Sequence, residues 1–246
     1  MKNVLIVGAT STIAQEVTNL LAMQGYNFAF LARNTAELDQ IKADILVKNL
    51  QAKVINLSYD AGHDTEDKLD NILNQAFDFL GNIDLVLIAH GNLPNQELCA
   101  KDYIEASNAL QINGLSVIEL CHKLANRLNS GATLAVISSV AGLRGRQSNY
   151  IYGTAKGMVN IYLQGLRNQL FTKGIHVLTI MPGFVDTKMT THLPKGMLWA
   201  NPKKVAKDIV SAINRKKNIL YTPWFWRYIM AIIGAIPEFK FKTMKL

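Results

Sequence analysis

Cysteine is nearly missing from this chain. Cys99 and Cys121 are the only two in 246 residues, which excludes a disulfide framework or a cysteine-based zinc module and points to a reducing compartment. The histidines His63, His90, His122, His176 and His192 stand at no metal-binding spacing, so no metal is expected. Glycine and proline are thinly spread, with 16 and 6 residues, and no segment has the composition of a flexible linker or a short repeat. A secretory leader is not expected either: the apolar run after Met1-Lys2-Asn3 is four residues long before Gly8, shorter than such leaders need. Acidic residues are scarce in one place only. Residues 1–200 carry 16 Lys and Arg against 16 Asp and Glu, whereas residues 201–246 carry 10 against 2, so the whole net charge of +8 lies in the last fifth of the chain. A localised basic segment suits an anionic partner.

Hydrophobic residues make up 49% of the chain, and a chain of this length can bury one large core. Short apolar runs alternate with longer helical patterns, which predicts an α/β fold: a doubly wound, Rossmann-type sheet of about seven parallel strands with helices on both faces. The strands are expected at Asn3 to Val7, Asn27 to Ala32, Lys53 to Leu57, Leu85 to Ala89, Thr133 to Ser138, His176 to Ile180 and Ile219 to Tyr221. The expected layout is a catalytic domain over residues 1–222, with residues 223–246 as an apolar and basic extension of it.

Two βα turns have the chemistry of a dinucleotide site. Gly8-Ala9-Thr10-Ser11-Thr12-Ile13-Ala14 leads from the first strand into a helix expected from Ile13 to Met23, whose N-terminal N–H groups and dipole suit a pyrophosphate. Only the first of the three customary glycines is kept, since Thr12 and Ala14 stand at the other two positions. After the second strand comes Ala32-Arg33-Asn34. A carboxylate there would bind the ribose diol of NAD and repel a 2′-phosphate, and Arg33 does the reverse, which favours NADP over NAD.

Proton chemistry is concentrated around Tyr152-Gly153-Thr154-Ala155-Lys156. Tyr152 and Lys156 lie four apart on one helix face, and a phenol needs a neighbouring cation to work as a base near neutral pH. With 8 tyrosines in the chain, such a pair arises readily by chance. It gains weight from Ser139, thirteen residues earlier at the end of a strand.

Taken in order, these pieces resemble the short-chain dehydrogenase/reductase family over nearly the whole chain. They are the Gly8 turn, Ala89-His90-Gly91 after the fourth strand, Asn113 in the next helix, Ser139, Tyr152 with Lys156, and Pro182-Gly183 followed by Thr187. The resemblance implies an oxidoreductase that transfers a hydride between NADP and a C=O or CH–OH group. Tyr152 would be general acid or base, Ser139 would bind the substrate oxygen, and Lys156 would lower the tyrosine pKa and hold the nicotinamide ribose. Asn113 would support a water leading to Lys156. Cofactor contacts would come from Gly8, Thr10, Ser11, Thr12, Ile13, Arg33, Ala89, His90, Gly91, Tyr152, Lys156, Pro182, Gly183, Val185 and Thr187. Assembly as a homodimer or homotetramer is implied in the same way. Ile88-Ala89-His90-Gly91 departs from the family's usual Asn-Asn-Ala-Gly.

Three further stretches resemble decaprenylphosphoryl-2-keto-erythro-pentose reductases: 148–153, 187–193 and the tail from Tyr221 to Met230. This implies a keto-sugar linked to a polyprenyl phosphate. Residues 224–236 contain one charge, Arg227, and show no polar face, so an amphipathic surface helix describes them poorly. Thirteen residues are too few to span a bilayer. The segment therefore packs in the core or a subunit interface, or dips into a membrane surface, where Trp224, Trp226 and Tyr228 with Lys240, Lys242 and Lys245 would suit an anionic headgroup layer. The expected location is cytoplasmic, at the inner face of a membrane in the second case. A soluble reductase of a small ketone or acyl substrate and a non-catalytic dinucleotide sensor remain the competing readings. Nucleic acid is not expected as a partner, because the basic residues form no stripe.

Overall fold

The computed structural model describes residues 1–191 and 193–244; His192 and Lys245, named above, lie outside the described residues. In chain order the elements are β1 (Asn3–Val7), α1 (Thr12–Ala22), β2 (Asn27–Ala32), α2 (Thr35–Lys48), β3 (Val54–Ser58) and α3 (Glu66–Leu80). They continue with β4 (Leu85–Ile88), α4 (Gln96–Lys101), α5 (Tyr103–Leu110), a π-helical turn (Gln111–Leu115), α6 (Ser116–Ala125) and β5 (Thr133–Ile137). After a 3-10 turn (Val140–Leu143) come α7 (Tyr150–Phe171), β6 (His176–Pro182), α8 (Pro202–Asn214), β7 (Ile219–Thr222), α9 (Trp226–Ala235) and α10 (Glu238–Phe241).

All seven strands are parallel, in the order β3-β2-β1-β4-β5-β6-β7. Because side chains alternate along a strand, β1 feeds two cores. Val4 and Ile6 pack with Ile13, Val17 and Leu21 of α1, Leu38 and Ile45 of α2, and Val205, Ile209 and Ile213 of α8. Leu5 and Val7 pack on the other face with Leu69 and Leu73 of α3, Leu120 and Cys121 of α6, and Val159, Leu163 and Leu170 of α7. Both faces are covered, which is why the strands read as unbroken apolar runs.

The strand order reverses between β1 and β4, and in such sheets the crevice outside the strand ends at that point holds the ligand. Local sequence sets up the helix starts around it. Asn34 accepts from the Glu37 amide at 3.1 Å, and Asn201 caps α8 with Pro202 at the first helical position. By contrast, α1 starts from Ser11 with no side-chain cap and no acidic residue in its first turn, leaving its N-terminal donors open.

Sequence and structure differ mainly at the strand ends. Strand β6 runs two residues further, to Pro182, and β7 reaches Thr222, because both stay paired along Met181↔Tyr221 and Pro182↔Thr222. The larger difference is in the tail. Residues 226–235 do form a helix with two faces, but both are apolar: Trp226 and Met230 are buried, with Ile229 and Ile233 partly so, while Tyr228 and Ile232 are exposed. Polarity periodicity is blind to that kind of helix.

Candidate active site

The crevice at the strand ends divides into two adjoining cavities. The first, about 470 Å³, is lined by Gly8, Thr10, Ser11, Thr12, Arg33, Tyr59, Asp60, His90, Gly91 and Thr187 among others. Its floor depends on missing side chains. Gly8 has φ 77°, and a Cβ there would sit 2.5 Å from the His90 amide nitrogen. Gly91 has φ 152°, and a Cβ would approach Asn113 Oδ1 to 2.7 Å. With the uncapped start of α1 alongside, this cradle fits a dinucleotide whose phosphates lie against backbone amides. Over it, the Lys188 amide donates to Thr12 Oγ1 at 3.4 Å, and Lys188 Nζ pairs with Glu37 at 2.6 Å. The segment after β6 thereby straps across the Gly8 turn.

His90 donates to or accepts from Ser116 Oγ at 2.9 Å, and its Nδ1 is buried without a partner. Burial, helped by the Lys156 charge, pushes its pKa down to about 3. The ring is thus neutral, and Tyr59 meets it edge-on.

The second cavity, about 620 Å³, is lined by Ser139 and Tyr152 together with Pro182, Gly183, Phe184 and Trp226 among others. Ser139 leaves the end of β5, and Tyr152 sits in the first turn of α7. Their meeting depends on close packing of the 3-10 turn on α7. A Cβ on Gly142 would lie 2.5 Å from the Lys156 carbonyl carbon, and one on Gly153 would lie 3.0 Å from the Ala141 carbonyl oxygen. Ser138 Oγ donates to Asn160 Oδ1 at 2.6 Å and fastens the end of β5 to α7. Ser139 Oγ accepts from the Ala141 amide at 3.1 Å, and its hydroxyl is near enough to the Tyr152 phenol to oppose the rise of its pKa.

Tyr152 is pushed up to about 12 by burial, against the opposing effect of the Ser139 hydroxyl. The lowering by Lys156 expected from the sequence therefore does not dominate in the protein alone, and at neutral pH the phenol keeps its proton. Lys156 is buried, lies 5.7 Å from the centre of the Tyr152 ring and donates to the Ile137 carbonyl at 3.4 Å. Burial draws its pKa down to about 8. Asn113 is fully buried in the π-helical turn, a type of turn that often marks functional sites. Its amide donates to Asn92 Oδ1 at 2.6 Å and accepts from the Asn92 amide at 3.0 Å, holding the β4 loop. Asn113 Oδ1 and Lys156 Nζ both face Gly91.

The structure thus brings together every candidate residue read from the sequence. Several lining residues had escaped that reading: Tyr59 and Asp60 in the first cavity, and Gln96, Arg146, Asn149 and Trp226 in the second. Trp226 lies so close to Gly183 that a Cβ there would overlap its indole nitrogen at 1.9 Å. The tail helix therefore builds one wall of the pocket. A glycine after Pro182 was visible in the sequence, but nothing local tied it to a tryptophan 43 residues later.

Comparison with known proteins agrees with this geometry. The family model for short chain dehydrogenases matches residues 2–197. An uncharacterized oxidoreductase of Mycobacterium tuberculosis is 28% identical over 246 residues, covering 98% of this chain and 96% of the relative. One from Streptomyces coelicolor is 27% identical over 253 residues, covering 99% and 96%. Among solved structures, a short chain dehydrogenase from Burkholderia cenocepacia in complex with NADP has the same fold, with a TM-score of 0.80 at 20% identity over 89% of this chain and 95% of that one. The chain belongs to the short-chain dehydrogenase family and is an NAD(P)-dependent oxidoreductase.

Proposed function

We propose that this protein is an NADPH-dependent reductase of a keto group on a sugar linked to a polyprenyl phosphate, working at a membrane surface. The observation that carries the reductase reading is the placement of Tyr152 with Ser139 in one cavity and Lys156 Nζ 5.7 Å from the Tyr152 ring, with burial favouring the protonated phenol. A bound nicotinamide cofactor would supply the hydride. Ser139 holds the ketone oxygen, and Tyr152 delivers a proton to that oxygen as negative charge develops on it. Lys156 stabilises the phenolate left behind, and Asn113, facing the same glycine as Lys156, supports a path for proton return. Gly8, Thr10, Ser11, Thr12 and Ile13 would hold the phosphates of a bound cofactor, while Ala89, His90, Gly91, Pro182, Gly183, Val185 and Thr187 would border its nicotinamide half.

Arg33 supports the preference for NADP. It is exposed at the mouth of the first cavity, and the nearby Glu37 is already engaged by Lys188 and Gln15. Replacing Arg33 by serine is expected to raise the KM for NADPH about 10- to 100-fold and to leave that for NADH nearly unchanged, as befits loss of a charge-assisted bond to a 2′-phosphate. Steady-state titration of both cofactors reads this, and equal effects on the two would count against NADP selectivity.

The membrane part of the proposal is supported by the outer face of the tail. Trp224, Tyr228, Ile232 and Phe239 are exposed there, with Arg227, Lys240 and Lys242 also exposed, a mixture suited to an anionic headgroup layer. Among the described residues no helix is long and apolar enough to cross a membrane. Flotation with vesicles containing anionic lipid tests it. Wild type is expected to float, and the outer-face variant Trp224→Ser/Tyr228→Ser/Ile232→Ser is expected to stay in solution. An intact protein that ignores vesicles and reduces simple ketones without lipid would instead favour a soluble small-ketone reductase, with this face as a subunit contact.

A further inference from the structure

The substrate cavity contains a cation that none of the described residues answers. Arg146 lines it, and its Nε is buried with no hydrogen-bond partner. Among the described residues its guanidinium forms neither a salt bridge nor a side-chain hydrogen bond. No aspartate or glutamate lines this cavity, and Arg146 is the one charged residue on its described wall. The contrast with Arg144, two residues earlier, is informative. Arg144 points to the tail, where it donates to the Gly234 carbonyl at 2.8 Å, pairs with Glu238 at 3.0 Å and lies over the Phe241 ring. One short loop thus sends a satisfied arginine to the tail helices and an unsatisfied one to the pocket.

Leaving a guanidinium partly buried and unpaired costs free energy, which an incoming anion recovers. The burial is real enough to pull the arginine's own proton affinity downward, yet arginine keeps its charge in proteins. Two further donors lining the same cavity are also buried and idle, Gln96 Nε2 and Trp226 Nε1, against one idle acceptor among its described residues, Asn149 Oδ1. Gln96 is fixed in place because its carbonyl oxygen accepts from the Ile151 amide at 3.0 Å, one residue before Tyr152. A donor-rich lining with one cation and no carboxylate among its described residues matches an oxyanion. Phe184, Met189 and Leu193 add apolar surface to the same lining, beside the hydroxyls of Ser139, Tyr152 and Thr190.

We infer that Arg146 binds an anionic group, a phosphate ester, on the substrate whose ketone Tyr152 reduces, with Gln96 and Trp226 as additional donors. This rests on the reductase reading for the word substrate, but not for the anion site itself. It also makes the cavity selective: an apolar chain without the anion leaves Arg146 uncompensated, and a small anion without the chain leaves the Phe184 and Trp226 wall wet.

Farnesyl phosphate and farnesol are suitable probes, titrated by calorimetry into the full-length protein saturated with NADP. Farnesyl phosphate is expected to bind about 10- to 100-fold more tightly than farnesol. Arg146→Gln is expected to remove that difference and Arg146→Lys to restore part of it. Equal affinity of the two probes for the wild type would overturn the inference, as would a phosphate preference that survives in Arg146→Gln. If Arg146→Gln fails to bind NADPH, and so is misfolded, the wild-type comparison and Arg146→Lys still decide. Failure of the wider reading looks different: a Tyr152→Phe enzyme with undiminished turnover would remove the assigned acid and leave the binding data standing.

Discussion

Replacing Tyr152 by phenylalanine is expected to lower kcat for ketone reduction by about 10²- to 10⁴-fold and to leave NADPH affinity nearly unchanged. Phenylalanine keeps the ring that packs in the first turn of α7 and loses only the hydroxyl that meets Ser139. The fold is thereby spared, and the loss belongs to proton transfer. Single-turnover reduction and NADPH fluorescence titration on the same samples separate the two, and a rate within tenfold of wild type would dismiss Tyr152 as the acid.

The pH profile sharpens this expectation. Tyr152 near 12 stays protonated over the whole working range, so it imposes no limit of its own. Lys156 titrates near 8, and once neutral it no longer stabilises the phenolate that proton delivery creates. The kcat/KM for reduction is therefore expected to fall above about pH 8. Stability should move the other way. The lysine's folded pKa lies below its unfolded value of 10.5, so between pH 8 and 10.5 the unfolded chain binds the extra proton, and unfolding becomes harder as pH rises. Activity that drops while the melting temperature holds or climbs is the signature, whereas parallel loss of both would indicate simple alkaline unfolding.

The second large effect is expected where the tail meets the segment after β6, at Trp226 and Gly183. Trp226→Ala should destabilise the protein by about 3–5 kcal/mol, a fall in melting temperature on the order of 10 °C for a chain of this size. Trp226 is 4% exposed and packs with Met181, Val140 and Met230, and it meets Phe184 edge-on at 5.4 Å. Removing it opens a void beside Ser139 and Tyr152, so turnover should suffer as well. Gly183→Ala is the complementary test. Its new Cβ would overlap the indole, which is expected to cost about 1–3 kcal/mol by overpacking. In the Trp226→Ala background the same methyl enters free space and its cost should largely vanish. Thermal unfolding of the four proteins gives that coupling directly. Additive effects would show that the two residues do not share the contact.

Much of this protein could be read along the chain. Alternating apolar runs specified the parallel sheet, since strands covered on both faces by helices must be apolar throughout. Gly8, Asn113, Ser139, Tyr152, Lys156 and Pro182-Gly183 were legible because each lies at a strand end or on one helical turn. There, a local spacing such as that of Tyr152 and Lys156 already sets the geometry. Even the place proposed for the cofactor phosphates was read from a glycine at the end of β1, where the structure has a cavity lined by Gly8.

Other features were decided only in three dimensions. The helix of residues 226–235 carries no polarity signal, because one apolar face packs on the 139–143 turn and the other is exposed. Which face is which depends on Gly183, Val140 and Met181, all distant in sequence. The charge of Arg146 was countable in the sequence, but that no described residue pairs with it was not, for an unpaired cation is a property of every neighbour at once. Tyr152 shows the same division. Its spacing from Lys156 singled it out as the candidate proton carrier, while burial, which only the tertiary structure could supply, is what favours its protonated form.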